Sequence, residues 1–126
     1  MKKIGIITLI AVLSGCGGNT LECNDSTAKE AVLNIILSHV AKARWGREMM
    51  PNVSDTVIYN IKTLSYDEEL DTYMCASKYS FNYKGNEYSK DIQYKLSYLE
   101  DIKDTEVAVF DIKAIKSKMM VAAMYR

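Results

Sequence analysis

Proline, glycine and histidine are scarce in this chain, and it lacks both an excess of basic charge and any apolar run of membrane-spanning length. One Pro and six Gly in 126 residues exclude the composition of a disordered tail. The single histidine, His39, removes the usual general base and the usual metal ligand from all but one position. Sixteen basic and sixteen acidic side chains give no electrostatic reason to expect nucleic acid, which needs a basic surface. The longest apolar stretch, Ile4 to Leu13, is well short of the roughly 20 residues a spanning helix takes. No Gly-x-Ser-x-Gly, phosphate-binding loop or His-Glu-x-x-His pattern occurs. Asp67-Glu68-Glu69 could be read as acid/base carboxylates or a cation site. Catalytic carboxylates need distinct environments to separate their pKa values, whereas adjacent acids in a turn are ordinarily solvated. The expectation is a protein with no catalytic residue, no metal and no cofactor.

What is present begins with the leader. Met1-Lys2-Lys3 is basic, Ile4 to Leu13 is apolar, and Leu13-Ser14-Gly15-Cys16 follows. A basic end, a short apolar core and small residues before a cut site mark a secretory signal. Leu-Ser-Gly-Cys also resembles the lipobox of bacterial prolipoproteins. That resemblance implies diacylglycerol on the Cys16 thiol, cleavage before Cys16 and acylation of the freed amine. Several acyl chains on one residue make a firm anchor, because each buried CH₂ contributes about 0.8 kcal/mol. Gly17, not Asp, follows the cysteine, which by the same resemblance points to the outer membrane. The chain then divides into a signal (residues 1–15), a lipidated tether (16–24) and one domain (25–126). The membrane, through that lipid, is the first partner expected; a protein in the envelope is the second, and nucleic acid is not expected.

The sequence holds three cysteines. With Cys16 assigned to lipid, Cys23 and Cys75 remain, an even number in an oxidising compartment, and a disulfide between them is expected. Closing a loop of about 50 residues is valued at roughly 2–5 kcal/mol by the chain-entropy model. Two free thiols are the alternative. A zinc site fits less well, since two Cys and one His far apart lack the clustered spacing such sites use.

From Asp25 to Trp45 the period is helical: Ala28, Ala31, Val32, Ile35, Ile36, His39, Val40 and Ala43 form one apolar side. Thr27 and Glu30 fit a capping box. Lys42, Arg44 and Arg47 suit the negative end of the helix dipole, and Gly46 and Pro51 are read as stops. His39 falls on the apolar side and reads as a packing residue. Beyond Pro51 the period becomes two. A first strand is expected at about 56–64, with Val57, Tyr59 and Ile61 alternating with Ile58, Asn60 and Lys62. A second carries Tyr73, Cys75, Ser77, Tyr79 and Phe81 on one face, and Lys84-Gly85-Asn86-Glu87 is a hairpin connection. A third alternates Tyr88, Ile92, Tyr94, Leu96 and Tyr98 with Ser89, Asp91, Gln93, Lys95 and Ser97, the pattern of a sheet covered on one side. Val107 to Ile115 is read as a fourth strand. The Met-rich end after Lys116 is left open between strand, helix and membrane-touching tail. One helix laid on a four-stranded antiparallel meander makes an α+β domain.

The nine tyrosines exceed what one small core needs. Tyr brings large contact area with a polar tip and is enriched at interfaces, so Tyr66, Tyr83 and Tyr88 are the candidate binding surface. The competing reading has the tyrosines covering the sheet. The leader, Leu21-Glu22-Cys23-Asn24-Asp25, Tyr73-Met74-Cys75-Ala76 and Ile92-Gln93-Tyr94-Lys95-Leu96 together resemble small proteobacterial lipoproteins of plasmids and prophages. Some of these act in surface or entry exclusion, by binding an incoming component. The layout is also similar to cystatin-like and nuclear-transport-factor-like folds, more often binders than enzymes. A tethered binding module is the first expectation. An envelope or secretion-system assembly subunit is the second, and an inhibitor of a periplasmic hydrolase the third.

Overall fold

The computed structural model describes residues 20–124. Cys16 and the leader lie outside the described residues, as do Tyr125 and Arg126. Helix α1 spans Ser26–Ala41 and a short α2 spans Arg44–Met49, with a 3-10 turn at Met50–Asn52. Strands β1 (Val53–Asp67), β2 (Thr72–Tyr83), β3 (Asn86–Leu99) and β4 (Asp104–Val109) follow, and helix α3 (Ile112–Met124) completes the fold. The strands lie in sequence order, each antiparallel to the last. This is the expected α+β meander, with the short α2 and the C-terminal helix α3 added to the one helix expected.

Helix α1 buries Ala28, Val32, Ile36 and Val40. These lie on a strict i, i+4 row, and Leu33 and Leu37 pack partly against the core beside it. The buried stripe is therefore rotated away from Ala31, Ile35 and His39, which are half-buried. The expected Thr27–Glu30 capping box is not how the helix starts. Asp25 sits at the N-cap without a side-chain cap bond, and its carboxylate instead accepts the Glu22 N–H at 2.8 Å. The turn that delivers Cys23 thus sets the helix entry. At the other end Arg47 donates to the Ala41 and Lys42 carbonyls at 3.1 and 3.0 Å, satisfying acceptors a helix end leaves free.

Gly46 does not stop a helix but lies inside α2, buried. A Cβ there would sit 1.8 Å from the Val40 carbonyl oxygen, so only glycine lets α2 fold back against the end of α1. Two residues, Lys84 and Gly85, join β2 to β3 with φ of 50° and 84°, both left-handed as the tight hairpin turn requires. Strand β1 departs from simple alternation. Its register with β2 shifts three times, and Asp55 and Asn60 take positive φ. The bulge at Asn60 turns the next residue over, so Ile58 and Ile61 both face the core while Val57 and Tyr59 are exposed. The fourth strand ends at Val109 and not at Ile115. Ile115, Met119 and Ala122 are the buried row of a helix, which settles the Met-rich end as helical through Met124. The core lies between one face of the sheet and these helices: Cys75, Tyr79, Phe81 and Tyr83 from β2, Ile92, Tyr94 and Leu96 from β3, and the buried rows of α1 and α3.

Candidate binding surface

Cys23 and Cys75 form a disulfide, with Cα atoms 5.7 Å apart. Cys75 is the fourth residue of β2, an inner strand, and Cys23 lies in the turn just before α1, so the bond fastens the helix entry to the sheet near the β1–β2 end. Beside it the Tyr94 hydroxyl donates to the Cys23 carbonyl at 2.7 Å. Burial pushes the Tyr94 phenol above its usual range, and the Ser77 hydroxyl partly offsets this. Burial alone raises Tyr79 further, and its hydroxyl donates to the Met119 sulfur at 3.4 Å. These two phenols are held protonated and serve the core.

The three tyrosines singled out as a surface do not form one. Tyr83 is only 5% exposed and belongs to the core, so it is no binding residue. It is the last β2 side chain on the covered face, with Lys84 Nζ 5.5 Å above its ring. Tyr88 is half-buried and stacks on Phe81, ring centroids 5.3 Å apart. Tyr66 lies at the opposite end of the sheet, half-buried. It packs on Tyr73 at 4.4 Å and donates to Asp71 at 2.8 Å. The excess of tyrosine was a sound signal of aromatic packing, but two-residue alternation puts most of it on the covered face.

Asp67, Glu68 and Glu69 are exposed at the β1–β2 turn, and the Asp67 carboxylate accepts the Leu70 N–H at 3.1 Å. Among the described residues no group of His, Cys, Asp and Glu is arranged to hold a metal. His39 is half-buried on α1. A broad cleft of about 980 Å³ crosses β1 to β3, lined in part by Asn60, Lys62, Lys78, Asp91, Gln93 and Phe110. Lys78 and Asp91 pair across it at 2.8 Å. That salt bridge and hydrogen bond hold the Asp91 carboxyl below its ordinary range and raise Lys78. Amides, an ion pair and a phenyl ring can bind a polar surface by contact. The alternating polar positions Asp91 and Gln93 were legible in the sequence; Asn60 and Phe110 were not, because a bulge and a strand end place them.

Fold and site together define a disulfide-fastened α+β domain with three helices on one face of a four-stranded meander and a mostly polar opposite face. No helix among the described residues is long and apolar enough to cross a membrane. Comparison with protein-family models, with curated proteins and with solved structures finds no match to this chain.

Proposed function

We propose that this protein is a lipid-anchored, non-catalytic binding module of the bacterial cell envelope, with surface or entry exclusion as the first role to test. The observation that carries the reading is the Cys23–Cys75 bond. It occupies two of the three cysteines in the sequence and leaves Cys16, at the end of a basic and apolar leader, for acylation. A disulfide between sequence-distant residues also belongs to exported proteins. Gly17 after Cys16 favours the outer membrane as destination. The domain then works by contact, through the open face of its sheet and the loops at its ends. An assembly subunit of the envelope is the alternative role for the same anchored domain.

Two measurements test this. The mature protein should carry the mass of an acylated N-terminal cysteine, and Cys16→Ala should accumulate as an unprocessed or soluble form. Unchanged mass and unchanged membrane fractionation in that variant would end the lipid reading. Cells expressing the intact chain should accept incoming conjugative or phage DNA less efficiently than cells expressing Cys16→Ala. Equal uptake in both would remove exclusion and leave the assembly role.

A further inference from the structure

Leu70 and Ile102 are exposed to 67% and 63%, the two highest values among the large apolar side chains described. Both lie at hairpin tips: Leu70 between β1 and β2, Ile102 between β3 and β4. The two tips are neighbours, since β2 and β3 are paired and the Tyr98 N–H donates to the Asp71 carbonyl at 3.1 Å. The chain enters the fold at the same end of the sheet. Thr20 Oγ1 donates to Thr105 Oγ1, and the Leu21 N–H reaches the same oxygen, each at 3.3 Å. Thr105 is the second residue of β4, directly after the Ile102 turn.

Four residues take the chain from Cys16 to Thr20, and four residues span at most about 14 Å. A lipid on Cys16 therefore keeps this end of the sheet, and no other, against the bilayer. The tips are also strongly acidic. Asp67-Glu68-Glu69-Leu70-Asp71 and Glu100-Asp101-Ile102-Lys103-Asp104 hold seven acids and one lysine around two apolar side chains. On a zwitterionic surface these carboxylates stay hydrated among the headgroups while Leu70 and Ile102 leave water. On an anionic surface the net negative charge is repelled within a Debye length of about 8 Å at physiological ionic strength. Four residues can reach up to about 14 Å, so the tips can withdraw from the repulsive surface while the lipid stays inserted.

We propose that the Leu70 and Ile102 hairpin tips are a bilayer-contact surface that seats the domain on zwitterionic phospholipid and lifts it from anionic phospholipid. The inference rests on lipidation of Cys16, and its test separates the two. The mature lipidated protein is reconstituted in vesicles of phosphatidylcholine and phosphatidylethanolamine, and in the same vesicles with phosphatidylglycerol added. Leu70→Trp and Ile102→Trp report on each tip, with the parent chain's Trp45 emission as the background to subtract. On zwitterionic vesicles both reporters should shift to the blue, and a soluble quencher should reach them several-fold less well. Phosphatidylglycerol at low salt should abolish the shift, and added salt should restore it. The variant Glu68→Gln/Glu69→Gln/Glu100→Gln/Asp101→Asn should stay seated on the anionic vesicles. Reporters that remain fully accessible on both vesicle types, with the protein still vesicle-bound, overturn the proposal and leave the anchor standing. Protein that fails to stay on vesicles with Cys16 intact overturns both. Tips protected only when another envelope protein is added would make this a protein interface and not a lipid one.

Discussion

On the covered face of β2, Cys75, Tyr79, Phe81 and Tyr83 are buried, while between them Ala76, Lys78 and Asn82 remain partly exposed on the other face. The same strand thus holds a core and a wet surface one residue apart. On the covered side the buried phenols are paired, the Tyr94 hydroxyl with the Cys23 carbonyl and the Tyr79 hydroxyl with Met119, while the buried Ser77 hydroxyl has no hydrogen-bond partner among the described residues. On the open side the contacts are long side chains meeting in solvent, such as Lys78 with Asp91 and Asn82 with Asp55. Stability is concentrated on the first face, which leaves the second face and the sheet ends free to change without unfolding the domain.

The largest test of this contrast is a pair of aromatic truncations. Phe81→Ala removes a ring at 1% exposure that packs against Tyr79 and Tyr88, and about 3–5 kcal/mol of stability should go with it. Tyr59→Ala removes a ring from the open face, 37% exposed, and should stay within about 0.5 kcal/mol of the parent. Denaturant unfolding of both variants measures the difference. Similar losses would mean that the open face is part of the core and that the division drawn here is false.

How much of this was readable beforehand follows the regularity of the backbone. β2 and β3 keep a period of two from Cys75 to Tyr83 and from Tyr88 to Leu96, broken only where Ser80 is buried on the open face, so their faces were legible almost residue by residue. The Cys23–Cys75 disulfide was legible by counting, on the expectation that Cys16 goes to lipid and the domain is exported. β1 was legible only as a strand. Left-handed φ at Asp55 and Asn60 inserts residues that no hydrophobic pattern records, and Ile61 changed faces as a result. Gly46 read as a stop because a glycine's close approach to another helix leaves no mark in its own neighbourhood. The run from Val107 to Ile115 is a short apolar stretch, where strand and helix cannot be told apart by period alone. For the tyrosines, their number shows how much aromatic area must be placed, and only the alternation shows where.

A smaller effect sharpens the account of the covered face. Tyr94→Phe keeps the ring and deletes the donor to the Cys23 carbonyl. A buried acceptor left without its partner costs about 1–3 kcal/mol, so the variant should unfold at lower denaturant with an unchanged slope. Because that carbonyl belongs to a disulfide cysteine, hydrogen exchange at the start of α1 should quicken more than exchange in β3. Equal protection at both places would show that the bond holds the sheet and not the helix entry.

The smallest effect is expected on the open face, and it is a titration. The Lys78 hydrogen bond and charge lower the Asp91 carboxyl, with lesser help from the charges of Lys90 and Lys62. A carboxyl lowered in the folded state stabilises the protein above its unfolded-state pKa of about 4. That contribution disappears as pH falls through the folded-state value, so the window lies below about pH 4. Lys78→Met should move the Asp91 midpoint, followed by side-chain carbonyl NMR, up toward the ordinary value, since both of the largest causes of its lowering come from Lys78. The acid limb of the stability curve should flatten slightly, while the melting temperature at neutral pH barely changes, because both partners are largely in water. An Asp91 midpoint that does not move would show that the pair is too loosely held to matter. A marked drop in neutral melting temperature would show the opposite, that the open face carries stability of its own.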